Sequence, residues 1–150
     1  MLQPSKNKLN ENNKISQNTT QEDNLHTIIE KKRGLDLAIL NRELGEENTK
    51  KMGLKYVHEL KKFLDTFDRS DLYFRQIVNE KATNKIKEFC IDLEKHAKLI
   101  GAESMLKFAD IVSLIFVYNK LDMLPIYPGK YHIELQKLIA EIKKELKIKS

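Results

Sequence analysis

Five side chains in this 150-residue sequence could act as nucleophiles or metal ligands: the single thiol Cys90 and the imidazoles of His26, His58, His96 and His132. A zinc site on a helix needs ligands three or four positions apart, so that two side chains share one face. No histidine lies at that distance from another. A metal site is therefore not expected, and no motif calls for a cofactor. Cys90 falls on the apolar face of its segment, which predicts a small core residue rather than a nucleophile. A lone cysteine excludes an internal disulfide and fits a reducing cytoplasm, the expected location. The acidic residues are numerous, but no carboxylate pair stands apart from the general surface charge. A conventional small-molecule enzyme is the least favoured reading.

Lys and Arg number 27 against 22 Asp and Glu, a net charge of +5. Their distribution decides what that excess means. Lys and Glu interleave, as at Glu59, Lys61 and Lys62 or at Glu141, Lys143, Lys144 and Glu145, which marks solvated helix faces. Lys85, Lys87, Lys95 and Lys98 make one segment locally basic, but Glu88, Asp92 and Glu94 dilute it. Nucleic acid is thus a disfavoured partner. The longest apolar stretch, Ile111–Tyr118, is interrupted by Ser113 and too short for a bilayer, so no membrane association is expected. The first residues show no apolar core of a secretion signal.

The elements that must position these groups read as helices. Five Gly and three Pro are few for a strand-rich fold. Residues 1–24, rich in Asn, Gln, Lys and Ser, are expected to form a flexible polar tail, with a helical domain over 25–150. Leu25, Ile28 and Ile29 predict a short helix over 24–33 ending at Gly34. Asp36 is expected to cap a second, ending at Gly45. A third is expected over 47–67, bending at Gly53. The next runs from Asp68 or Ser70 to about residue 80, burying Phe74, Ile77 and Val78. Helix 83–100 buries Ile86, Phe89, Cys90, Leu93, Ala97 and Ile100. Helix 102–121 buries Met105, Phe108, Ala109, Val112, Ile115 and Phe116. Residues 124–129, LPIYPG, are expected to be a rigid loop. Helix 130–147 then buries Leu135, Leu138, Ile139, Ile142 and Leu146. Such stripes can be buried only against each other, so the fold class is an all-α bundle of four main helices with shorter additions.

Three stretches carry a resemblance to a known family. They are GLDLAILNRELG at 34–45, the apolar run from Phe63 through Phe74, Val78 and Ile86 to Cys90, and Ile100-Gly101-Ala102 followed by Met105, Phe108, Ala109 and Val112. In this order they resemble the histidine-containing phosphotransfer (HPt) domain. That family is a four-helix bundle passing a phosphoryl group between the modules of a two-component phosphorelay through an exposed histidine. Its signature, His-x-Leu-Lys-Gly, begins ten residues before the Gly of the Gly-Ala pair. Here that position is Ile91, and the stretch reads Ile91-Asp92-Leu93-Glu94-Lys95. Only Leu93 is kept. Ile cannot accept a phosphoryl group. At about 100° per residue, Ile91 lies roughly 150° from the core direction of its helix and should be exposed.

The resemblance therefore implies a degenerate signalling module that binds a response-regulator receiver domain or a histidine kinase without carrying phosphate. Ile91 would be the contact centre and Lys87, Asp92, Glu94, Lys95 and Lys98 its rim. Two alternatives stay open: phosphotransfer through His96, five residues on, or an unrelated basic bundle that binds nucleic acid or protein.

Overall fold

The computed structural model describes residues 24–149, which are mostly helical, with irregular chain over 35–41 and between helices and no strand among them. The tail expected at the N-terminus lies outside the described residues, apart from Asn24, which is already helical. Two compact units divide between Leu35 and Asp36. In the first, helix α1 (24–33) buries Leu25 and Ile29, and Arg33 pairs with Glu30 on its exposed side.

The second unit is a helical bundle. It comprises α2 (Arg42–Lys51), α3 (Tyr56–Phe67), α4 (Ser70–Asn79), α5 (Thr83–Ile100), α6 (Glu103–Val117), a 3-10 segment (Leu121–Ile126) and α7 (Tyr127–Lys149). Helix α5 is central and packs against α2, α3, α4 and α6, while α7 packs against α3, α4 and α6. Side-chain pairings fix the directions. Tyr56 at the start of α3 bonds Ile100 at the end of α5, and Phe67 at its end lies by Phe89 and His96, so α3 and α5 run antiparallel. Ser70 meets Tyr131, whereas Val78 shares a hollow with Leu124, so α4 and α7 are antiparallel too.

The buried face of α5 is Ile86, Phe89, Cys90, Leu93, Ala97 and Ile100, as its spacing predicts. Phe74, Phe89, Phe108 and Tyr131 form an aromatic centre, with the Phe74–Phe89, Phe74–Tyr131 and Phe108–Tyr131 centroids each 5.3 Å apart. Each such pair adds about 0.5–1.5 kcal/mol beyond the area it buries.

Besides α6, which ends at Val117 rather than 121, four boundaries depart from expectation. Asp36 caps nothing: α2 begins six residues later, where the Asn41 side chain accepts from Leu44 N at 3.1 Å. Gly45 does not end that helix but lies within it, buried against the Ile100 carbonyl and Tyr56. The expected helix 47–67 is two helices, because Gly53 takes a left-handed φ of 70° and turns the chain between them; Leu54 is consequently exposed. The LPIYPG segment is helical rather than a loop. Pro125 lies in the 3-10 segment and Pro128 in the first turn of α7, where a missing N–H costs no helical bond.

Candidate functional site

Position 91 lies on the middle of α5. With Phe89, Cys90 and Leu93 turned inward, helical geometry turns Ile91 outward, and it is 68% exposed. It lines an open hollow of about 530 Å³ with Tyr73, Lys85, Glu88, Phe89, Asp92 and Lys95. Of the residues the sequence assigns to this surface, the structure brings together Ile91, Asp92 and Lys95. Lys87 turns the other way, its ammonium 5.5 Å above the Phe116 ring on α6. Glu94 and Lys98 are exposed outside the hollow. The backbone carbonyl of Lys98 accepts from Asn48 Nδ2 at 2.8 Å, where α2 crosses the end of α5.

The structure adds two residues that pattern reading passed over. Tyr73 lies across the hollow from α5, its ring 5.9 Å from that of Phe89. Leu72 beside it is 65% exposed. A signal for both was present. In Leu72-Tyr73-Phe74 only Phe74 fits the core face with Ile77 and Val78, which leaves two large apolar residues over. Tyr73 and Ile91 share the hollow between α4 and α5 with Lys85, Glu88, Asp92 and Lys95 around it, while Leu72 is turned to solvent on the outer side of α4.

His96 is held differently. Its ring meets Phe67 edge-on at 5.5 Å, its side chain is only 16% exposed, and Nε2 faces Asp92 Oδ1 at 3.5 Å. Cys90 is buried, and loss of solvation, with the nearby Glu94 charge, pushes its thiol up to about 12. It is a protonated core residue at neutral pH.

One histidine without any sequence motif is placed with care. His132 Nδ1 lies 2.5 Å from Asp71 Oδ2, joining α7 to the first turn of α4. The Asp71 side chain is 11% exposed and that of His132 is 52% exposed. One residue back on each helix, the Ser70 and Tyr131 hydroxyls bond at 2.6 Å in the core. No sequence signal could reveal this pair, because its members are brought together only by the packing of α4 on α7. Among the described residues, no group of three or more His, Cys, Asp or Glu side chains is placed to hold a metal ion. No helix of the described residues is long and apolar enough to cross a membrane.

Comparison with protein-family models, curated proteins and solved structures finds no match to this chain.

Proposed function

We propose that the chain is an HPt-like signalling module that docks a receiver domain, or the kinase bearing one, through α5 and α4, with no phosphoryl acceptor at the family's position. The observation that carries this reading is Ile91. In the register set by Gly101-Ala102, an exposed aliphatic residue stands mid-helix where the family has its histidine. The two glycines on which the resemblance rests, Gly45 and Gly101, also lie directly against each other. Ile91 and Tyr73 provide an apolar middle, and Lys85, Glu88, Asp92 and Lys95 a charged rim, the usual division of a protein interface. The lysines suit the acidic phosphorylation pocket that the resemblance implies in a receiver.

The alternative acceptor, His96, gains nothing from its setting, since its ring is packed on Phe67 rather than offered to solvent. The nucleic-acid alternative needs cations gathered on one face, whereas Lys85 and Lys95 at this surface stand among Glu88 and Asp92.

Calorimetric titration of the full chain against each receiver module of its source organism tests the proposal. Binding to at least one is expected. Ile91→Glu should weaken it about thirtyfold, the loss of roughly 2 kcal/mol typical of a central contact residue. Absence of binding to every receiver, or binding unchanged by Ile91→Glu and Tyr73→Ala, overturns it.

A further inference from the structure

We propose that the hollow between the α4–α5 turn and the 3-10 segment is a binding site for a free aliphatic amino acid of about the size of leucine. The site does not rest on the docking function, because none of its lining residues belongs to the surface around Ile91.

Three elements build the walls. Val78 at the end of α4, Ile86 near the start of α5 and Leu124 of the 3-10 segment are buried and form the floor, while Leu121 and Pro125 stand exposed at the mouth. The hollow holds about 430 Å³, within the roughly 300–1,000 Å³ usual for small-molecule sites. No aromatic ring lines it, so an apolar group placed there meets aliphatic side chains alone.

The two turns that frame the hollow are closed by the same device. Lys81 takes a left-handed φ of 55°, with Lys81 N donating to Val78 O and Ala82 N to Ile77 O, each at 3.0 Å. Asn119 takes a φ of 54°, with Asn119 N donating to Phe116 O at 3.0 Å and Lys120 N to Ile115 O at 2.8 Å. Such paired bonds satisfy the last carbonyls of α4 and α6 and fix both walls. A ligand therefore meets a preformed cavity, with little chain to order on binding.

The polar residues of the lining decide the ligand. They are Lys81, Thr83 and Asp122. Lys81 and Asp122 bring opposite charges to one cavity, yet neither forms an ion pair with the other or with any of the described residues. Glu80, the carboxylate next to Lys81 in the chain, accepts from Gln76 Nε2 at 3.1 Å instead. Helix α5 also opens here, with no side-chain cap and no acidic residue in its first turn, so its positive end adds to Lys81. A molecule in the hollow thus meets an ammonium and the Thr83 hydroxyl on the α4–α5 side and a carboxylate on the other. An α-amino acid answers all of them at once. Its carboxylate faces Lys81 and Thr83, its ammonium faces Asp122, and its side chain lies on Val78, Ile86 and Leu124. A fatty acid leaves Asp122 unanswered, and an alkylamine leaves Lys81 unanswered. No bond is made or broken: the site binds.

Methyl NMR of the full chain, observed at Val78, Ile86 and Leu124, tests the proposal in titrations with L-leucine, 4-methylpentanoate, 3-methylbutylamine and glycine. L-leucine should shift the three residues saturably, with a Kd on the order of 0.1 mM, and each one-charge analogue should bind about tenfold more weakly. Glycine, which has no side chain to bury, should leave them unshifted. Lys81→Asn keeps a residue at ease with left-handed φ. It should weaken L-leucine and 4-methylpentanoate about tenfold and leave 3-methylbutylamine unchanged. Asp122→Asn should weaken L-leucine and 3-methylbutylamine and spare 4-methylpentanoate. The analogue series needs no variant to fold. Absence of a saturable shift with L-leucine, equal affinity for L-leucine and both analogues, or shifts confined to other residues overturns the proposal.

Discussion

Gly45 and Gly101 meet backbone to backbone: a Cβ built on Gly101 would stand 2.9 Å from the amide nitrogen of Gly45, and closer still to the Asn41 carbonyl oxygen. One built on Gly45 would stand 2.7 Å from the Ile100 carbonyl carbon. The missing side chains let α2 lie on the turn between α5 and α6. Asn41 N donates to Gly101 O at 2.8 Å, the Tyr56 hydroxyl donates to Ile100 O at 3.1 Å, and Asn41 Nδ2 donates to Glu103 at 3.2 Å. This crossing fixes the end of α5, and through it the rotation that presents Ile91.

Replacement of either glycine by alanine should therefore be costly. Gly45→Ala is expected to lose about 1–3 kcal/mol by forcing backbone apart. Gly101→Ala should lose more, about 3 kcal/mol or beyond, because its φ of 79° adds left-handed strain to the collision. Gly129→Ala is the control. It has open space and lies within α7, so it should be neutral or stabilising by about 0.5–1 kcal/mol. Urea unfolding of the three variants measures the order, and a Gly45→Ala chain as stable as Gly129→Ala would contradict the close crossing.

These same glycines show which features a sequence can disclose. The inward face of α5 was legible because eighteen residues keep one period without interruption. Gly45 was misleading because its role is tertiary. It reads as a helix terminator, yet it continues α2 and serves the approach to Ile100. The start of α2 was hidden for a related reason: Asn41 is fixed partly by bonds to Gly101 and Glu103, far along the chain. At the candidate site, the exposure of Ile91 followed from helical geometry. Tyr73 and Leu72 were legible only as residues left over from the core of α4. The contact of His132 with Asp71 joins two helices that no spacing rule connects.

The Ser70–Tyr131 contact predicts an asymmetric pair of variants. A serine hydroxyl has one hydrogen, and Ser70 gives it to Phe67 O at 2.7 Å. Tyr131 must then be the donor in the 2.6 Å contact with Ser70. Ser70→Ala leaves a buried phenol hydroxyl without an acceptor and should cost about 1–3 kcal/mol. Tyr131→Phe removes donor and need together and should cost less, about 1 kcal/mol. Equal losses in chemical denaturation would reverse the assigned donor.

Cys90 predicts a thiol that is silent at neutral pH and a fold that weakens in alkali. Burial, then the Glu94 charge, raises it from 9.0 to about 12. The folded chain thus holds this proton more tightly than the unfolded chain. The associated stability is complete below about pH 9 and is lost as pH climbs from there toward 12. Ellman's reagent should react with the native chain far more slowly than with the urea-unfolded one. Cys90→Ala should cost about 1 kcal/mol at neutral pH and flatten the alkaline decline. Prompt reaction of the native thiol would show that the α5 core is open.

The pair between Arg42 and Glu145 predicts that removing one charge is harmless while removing the other is not. Glu145 is buried, and its Oε1 lies 3.8 Å from Arg42 Nη1 with no hydrogen-bond partner among the described residues. Its charge is thus desolvated and poorly repaid. Glu145→Gln should be neutral or slightly stabilising. Arg42→Ala removes the nearest cation and should cost about 1 kcal/mol, a modest figure because half of the arginine is in solvent. In the Glu145→Gln background that cost should largely disappear. Tyr56 supplies a second readout. Its hydroxyl is raised above its ordinary 10.0 by burial first and by Glu145 and Glu46 next, against the lowering effect of Arg42. Stability linked to Tyr56 is present below about pH 10 and falls as pH rises through the higher folded value. Glu145→Gln removes one cause of that gap, so the variant should resist alkaline unfolding better than the wild-type chain. If both chains unfold along the same alkaline curve, the Glu145 charge does not reach Tyr56.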